Sequence, residues 1–271
     1  MTTTLLVNGL TVADAEHALA VSDRGLNYGD GLFETARLHG GVVRFLPAHL
    51  ERLQEGCRRL GIAYPGDTVI GGDIDTAVGL HREGVLKIIV TRGQGARGYR
   101  PSVAADPTRI VALHPLPATI GIEVLTVRWC NVRLGRNPAL AGVKHLNRLE
   151  QVLAQAEWDG IDIGEGLMLD TEGELVCGTA SNVFVVRNGT LRTSDLRFCG
   201  VRGVMRGQVL RVADELGIPV LEEPLWPVDL EEASEVFVTN AVRGIRSIVA
   251  LESLRWPSGP MARQLRQALE L

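Results

Sequence analysis

The stretch from Gly135 to Trp158 constrains the chain most, because its character changes once, at Lys144. Before that point Asn137, Pro138 and Gly142 exclude a regular element, since proline has no amide donor and glycine favours turns. After it, Leu146, Leu149, Val152, Leu153 and Ala156 recur at three- and four-residue intervals, the spacing of one apolar helix face. The pattern predicts an amphipathic helix from His145 with its apolar side sunk in a core, and Lys144 at a loop-to-helix junction. A helix N-terminus favours negative charge, so a lysine there gains nothing from the dipole. The plain reading is a surface lysine. The other is a lysine placed to lose its charge and react, as a Schiff-base lysine must.

A chain of 271 residues can bury a full core and is long enough for two modest domains. Its net charge of -4 gives no long-range pull toward polyanions, which argues against nucleic acid and anionic membranes as partners. Cys57, Cys130, Cys177 and Cys199 are widely spaced with no CxxC pair, so neither a zinc site nor a disulfide framework is expected, and the expected compartment is the reducing cytoplasm. The segment from Met1 to Leu10 lacks the basic and long apolar regions of a signal peptide. No stretch approaches the roughly 20 apolar residues of a membrane span.

Short apolar runs at Leu5 to Val7 and Val42 to Phe45 predict strands, and Pro47 to Leu60 places Leu50, Leu53, Cys57 and Leu60 on one helical face. Val85 to Val90 and Arg109 to Leu113 read as buried strands. A proline-bearing link then precedes a strand expected at Ile122 to Val127, which sets the domains at 1–115 and 122–271 with a linker at 116–121. The second half carries a strand at Glu174 to Cys177 and a hairpin with arms Val183 to Val186 and Leu191 to Thr193, around Asn188 and Gly189. Helices are expected at Gly203 to Leu216, Asp229 to Ala233 and Met261 to Glu270, and strands at Val236 to Thr239 and Ile245 to Leu251. Hairpins mixed with helices indicate α+β rather than a doubly wound parallel sheet.

Five stretches in order, Asp23 to Arg37, His49 to Leu53, Arg136 to Gln151, Gly178 to Val186 and Gly200 to Arg206, resemble the fold-type IV family of pyridoxal-phosphate (PLP) enzymes. The resemblance implies a smaller N-terminal α/β sandwich, a larger C-terminal barrel-like domain with flanking helices, and a homodimer. The wording of Arg136 to Gln151 is more similar to the lyases that act on 4-amino-4-deoxychorismate than to the branched-chain and D-amino-acid aminotransferases of the same family. Elimination to 4-aminobenzoate and pyruvate is the expected reaction, with transamination the alternative.

By that resemblance Lys144 holds PLP and then serves as general base. Arg52 binds the phosphate with its fork of donors, and the amides of Val204 and Met205 form a cup at a helix start, closed by Asn240 or Ala241. Arg97 and Tyr99 face a substrate carboxylate, with Arg133 and Arg136 as further basic candidates, and Phe33 lines the pocket. His145 is a proton-relay candidate. Asp23 and Arg24 are read as a local ion pair stabilising a turn. Gly93 to Gly98 fits GxGxxG, but Tyr99, Arg100 and Pro101 follow where a helix should begin, so a dinucleotide site is rejected. In much of the family a glutamate pairs with the cofactor's ring nitrogen at the position of Cys177. Glu174, three residues away along a strand, lies on the opposite face and does not replace it. A thiol cannot hold a pyridinium as a carboxylate does, so the expectation is that Cys177 tolerates elimination and suppresses transamination.

Overall fold

The computed structural model describes residues 4–12, 19–101, 105–121 and 123–271, so the N-terminal reading at Met1 to Thr3 and the strand start expected at Ile122 lie outside the described residues. The chain forms two compact units, Met1–Ala118 with Lys144–Asn147, and Thr119–Val143 with Arg148–Leu271.

The first unit runs β1 (Thr4–Val7), β2 (Leu10–Thr11), α1 (Arg24–Tyr28), β3 (Gly31–His39), β4 (Val42–Val43), α2 (Leu46–Leu60), α3 (Asp67–Val78), β5 (Gly84–Thr91) and β6 (Thr108–His114). Its antiparallel sheet has the order β2-β1-β6-β5-β3-β4. Alternation decides its two faces: Leu32, Ala36, Leu38, Leu86, Ile88 and Val90 are buried, while Phe33, Thr35, Lys87 and Ile89 between them are half-buried. The helix α2 packs on β3, and Gly56 permits the approach, since a Cβ there would come within 2.9 Å of the Leu32 side chain. Of the face expected on α2, Leu53 and Cys57 are buried and Leu50 and Leu60 half-buried, with His49 and Gly56 completing the contact. The predicted strand at Val42 to Phe45 stops early because Phe45, at φ 55°, already caps α2.

Lys144–Asn147 belongs to this unit, and here the sequence expectation fails. Leu146 N–H donates to the Gly31 carbonyl at 3.0 Å and Phe33 N–H donates to the Lys144 carbonyl at 3.1 Å, so the segment lies extended beside the start of β3. Lys144 is therefore not at a helix N-terminus. Backbone pairing with β3 satisfies groups that a helical turn would otherwise use.

The second unit runs β7 (Val124–Trp129), α4 (Leu149–Gln155), β8 (Glu165–Leu169), β9 (Leu175–Gly178), β10 (Asn182–Arg187), β11 (Thr190–Thr193), α5 (Val204–Glu215), β12 (Val220–Glu222), α6 (Pro227–Glu231), β13 (Glu235–Asn240), β14 (Gly244–Leu251), β15 (Leu254–Arg255) and α7 (Pro260–Ala268). Its mixed sheet has the order β12-β11-β10-β13-β14-β7-β8-β9, with β15 on β14. Asn188 and Gly189, at φ 52° and 76°, turn β10 into β11 as their side chains foretold. Val183, Val185, Val236, Val238 and Ile248 fill one face, and Phe184 stacks on Phe237 on the other. Each such aromatic contributes about 1.5–3 kcal/mol by burial.

A second expectation fails at α4. The helix begins at Leu149, and Leu149, Val152 and Leu153 are 75%, 59% and 59% exposed, so the apolar face foreseen as buried points outward. Periodicity identifies an apolar face but not what covers it.

Candidate active site

Lys144 Nζ stands 4.1 Å from the centre of the Phe33 ring, on the half-buried face of the first sheet. The ring face attracts the amine when it is protonated and fixes its position. Because the segment is extended, Lys144 and His145 point to opposite sides, so the two do not form a relay pair through a shared face. Lys87, opposite Thr35 in the register of β3 and β5, brings a second amine within 5.8 Å of the same ring.

On the buried face of β3, Glu34 is 1% exposed and accepts two hydrogen bonds from Arg52, Nε to Oε1 at 2.8 Å and Nη2 to Oε2 at 2.5 Å. His49, fully buried one turn earlier on α2, places Nδ1 2.6 Å from the same carboxylate. Burial pushes the Glu34 carboxyl up, but the Arg52 charge and the bonds from His49 and Arg52 outweigh it, and the group is held below the ordinary carboxylate range. Arg52 is thus held by a charged fork, with part of its donor set committed to Glu34.

The loop after β5 carries Arg97, Tyr99 and Arg100, all exposed. Among the described residues, Gly93–Pro101 and 105–107 form no helix, in keeping with the rejection of a dinucleotide site. Asp23 and Arg24 do not pair with each other as expected. Asp23 caps α1 by accepting from Gly25 N–H at 2.8 Å and takes the hydroxyls of Thr91 and Thr108 on its other oxygen. Arg24 pairs with Asp30 at 2.9 Å, which Arg92 also holds at 2.8 Å.

In the second unit Cys177 pairs with Met168 across β8 and β9 and is buried. Burial pushes its thiol well above the ordinary range, so the sulfur is neutral. Glu174 is occupied by Arg136 at 3.0 Å and Arg197 at 2.6 Å. Arg136 also pairs with Asp170 at 2.7 Å, so its charge is engaged within the unit, whereas Arg133 is exposed. Glu165, 2% exposed, holds the turn after Cys177 by accepting from Thr179 N–H at 3.1 Å and from the hydroxyls of Thr179 and Ser181.

Val204 and Met205 are the first two residues of α5, where amides have no carbonyl of their own helix to bond. Gly203 caps that start, and a Cβ on it would come within 2.1 Å of Asn182 Oδ1. Asn182 is fixed by its own bond to the Val201 carbonyl at 2.8 Å. Asn240 ends β13, and its side chain receives the amides of Val242 and Arg243 at 3.1 and 2.8 Å, shaping the turn that contains Ala241.

Residues 31–251 match the family profile described as Amino-transferase class IV. The chain belongs to the class IV aminotransferase family. This class IV chain is 35% identical over 257 residues to a putative branched-chain-amino-acid aminotransferase of Methanocaldococcus jannaschii, covering 92% of this chain and 88% of the relative. It is 32% identical over 271 residues to an aminodeoxychorismate lyase of Vibrio harveyi, covering 96% and 97%. Among solved structures it is similar to 4-amino-4-deoxychorismate lyase of Pseudomonas aeruginosa, with 44% identity, a TM-score of 0.92 and 98% of each chain covered.

Sequence reasoning passed over Glu34, His49, Lys87 and Glu165. A signal existed for two of them. Glu34 and Lys87 each interrupt an apolar strand, and Lys87 and Lys144 are the chain's two lysines among 28 basic residues. No comparable signal marks Glu165, whose partners come from a turn ten and more residues later.

Proposed function

We propose that this chain is a PLP-dependent lyase that converts 4-amino-4-deoxychorismate into 4-aminobenzoate and pyruvate. The observation that carries the reading is Lys144, a half-buried amine over an aromatic ring, in a chain alike over 98% of its length to a 4-amino-4-deoxychorismate lyase. The residues fit the cofactor: α5 starts at Val204 and Met205 with amides that have no carbonyl of their own helix to bond and can serve an anion. Lys144 would hold PLP, the amides of Val204 and Met205 and the Arg52 guanidinium would take its phosphate, and Asn240 or Ala241 would flank it. When bound, PLP would supply an electron-withdrawing ring that eases loss of the substrate's C4 proton. Lys144 Nζ would accept the proton from C4 as the C3–O bond breaks, and the electron pair of the C4–H bond would complete the aromatic ring. The departing enolpyruvate would take up one proton at its methylene carbon to become pyruvate, which balances the proton lost from C4. Arg97 and Tyr99 hold carboxylates of the substrate, and Lys87 adds a further cation beside Phe33.

Cys177 favours elimination over transamination in this reading. A neutral buried thiol holds charge on a ring nitrogen poorly, and a reaction driven by aromatisation needs that charge less than a reversible amino transfer does. The exposed Leu149, Val152 and Leu153 support a homodimer, because an apolar helix face of this kind gains from being covered. Four unpaired thiols support a reducing, cytoplasmic setting.

The test is a visible spectrum of the purified protein followed by addition of 4-amino-4-deoxychorismate with fluorescence detection of 4-aminobenzoate. A yellow protein that releases 4-aminobenzoate, and a Lys144→Ala variant that is colourless and inactive, are the expected results. A yellow protein that makes none, yet turns colourless on addition of an amino donor, would establish the aminotransferase instead.

A further inference from the structure

Arg24 is 4% exposed, yet most of its donors serve a loop that is itself exposed. Nη1 donates to the Gly98 carbonyl and Nη2 to the Tyr99 carbonyl, both at 2.9 Å, while Nε is held by Asp30 at 2.9 Å. The guanidinium lies 4.7 Å from the centre of the Tyr28 ring, whose hydroxyl accepts from Gly98 N–H at 3.1 Å and whose edge meets the Tyr99 ring. Closer to β5 the same loop is bound through its backbone: Arg24 N–H donates to the Gly93 carbonyl at 2.9 Å and Gly95 N–H to the Ser22 carbonyl at 3.2 Å. Gly95 is small because the Arg24 stem passes over it, with a Cβ there falling 2.8 Å from Arg24 Cδ. The outer side chains Arg97 and Tyr99 remain in solvent, Tyr99 at 86% exposure. Asp30 is not free to follow the loop, because Arg92 holds it while donating to the carbonyls of Leu60 and Gly61 at the end of α2.

A buried guanidinium bonded to two successive carbonyls of an exposed loop fixes the backbone and leaves the side chains presented. We propose that Arg24 is a positioning residue for substrate selection: it holds the loop in the one shape in which Arg97 and Tyr99 receive the carboxylates of an anionic substrate. This rests on the lyase reading above for the identity of the substrate. Fixing the loop before binding removes an ordering cost that the substrate would otherwise meet, so the clamp acts on KM rather than on the bond-breaking step.

Arg24→Lys keeps the charge that meets Asp30 but cannot span two carbonyls. Each lost charge-assisted bond is worth about 1.5–3 kcal/mol, so KM for 4-amino-4-deoxychorismate should rise on the order of ten- to a hundredfold with kcat and the cofactor spectrum nearly unchanged. Trypsin cleavage at the Arg97–Gly98 bond should accelerate by a similar factor, a readout independent of turnover. In an Arg97→Ala background, Arg24→Lys should raise KM little further, because both changes act through one loop. Cleavage at the wild-type rate, or a KM penalty of undiminished size in the Arg97→Ala background, would overturn the clamp. A wild-type protein that makes no 4-aminobenzoate would overturn the lyase reading instead, and the trypsin comparison would still decide whether Arg24 holds the loop.

Discussion

Glu34→Gln isolates the buried charge pair beneath β3. The substitution keeps the shape of the side chain, removes one negative charge and turns an acceptor into a donor facing His49 or Arg52. Three bonds to the carboxylate are affected, and Arg52, about one-sixth exposed, loses its counter-charge. Breaking one side of a buried pair typically costs about 3–5 kcal/mol, and the partial exposure of Arg52 moves the expectation to the lower end, about 3 kcal/mol. For a chain of this size that corresponds to a fall in Tm of roughly 6–12 °C. The pH dependence has a fixed sign. The Glu34 carboxyl lies below its ordinary value of 4.5 in the folded state, so its stabilisation is fully present above that value and is lost as pH falls through the folded pKa. Thermal unfolding of wild type and variant, followed by circular dichroism from pH 7 down to pH 3, should show a gap that is constant at neutral pH and narrows below 4.5. An unchanged Tm at pH 7, or a gap that ignores acid, would refute the assignment of a charged, stabilising Glu34.

Gly203→Ala should lower stability by about 1–3 kcal/mol, because the new methyl group meets the fixed Asn182 amide, and it should weaken PLP retention in a spectrophotometric titration. Adding Asn182→Ala should recover stability if the clash is the cause. Cys177→Glu should gain transamination, seen as loss of the yellow colour when an amino donor is added. Equal transamination in both proteins would show that Cys177 does not set the reaction outcome.

Much of the second unit was legible from local chemistry. Asn188 and Gly189 specify a tight hairpin, and the β-branched runs around β13 and β14 specify buried strands, because side-chain shape and turn conformation are decided within a few residues. The helix α3 was missed although Ile70, Ile74 and Ala77 are buried at helical spacing, since Gly71 and Gly72 weaken the local signal between them. Glu34 was hidden for the opposite reason: a carboxylate in an apolar strand makes sense only with Arg52 and His49 from a helix that begins after the strand has ended.

By itself the sequence determined the alternation of hairpins and helices, the family to which the chain belongs, and the singular position of Lys144. Only the tertiary structure decided how Lys144 is held. Its neighbours have the periodicity of a helix, but the carbonyl of Gly31 and the amide of Phe33 offer that segment backbone partners from a strand more than a hundred residues earlier. Pairing with β3 draws Lys144 out extended over an aromatic ring. Periodicity records which side chains avoid water, and distant backbone partners settle which conformation a short segment adopts.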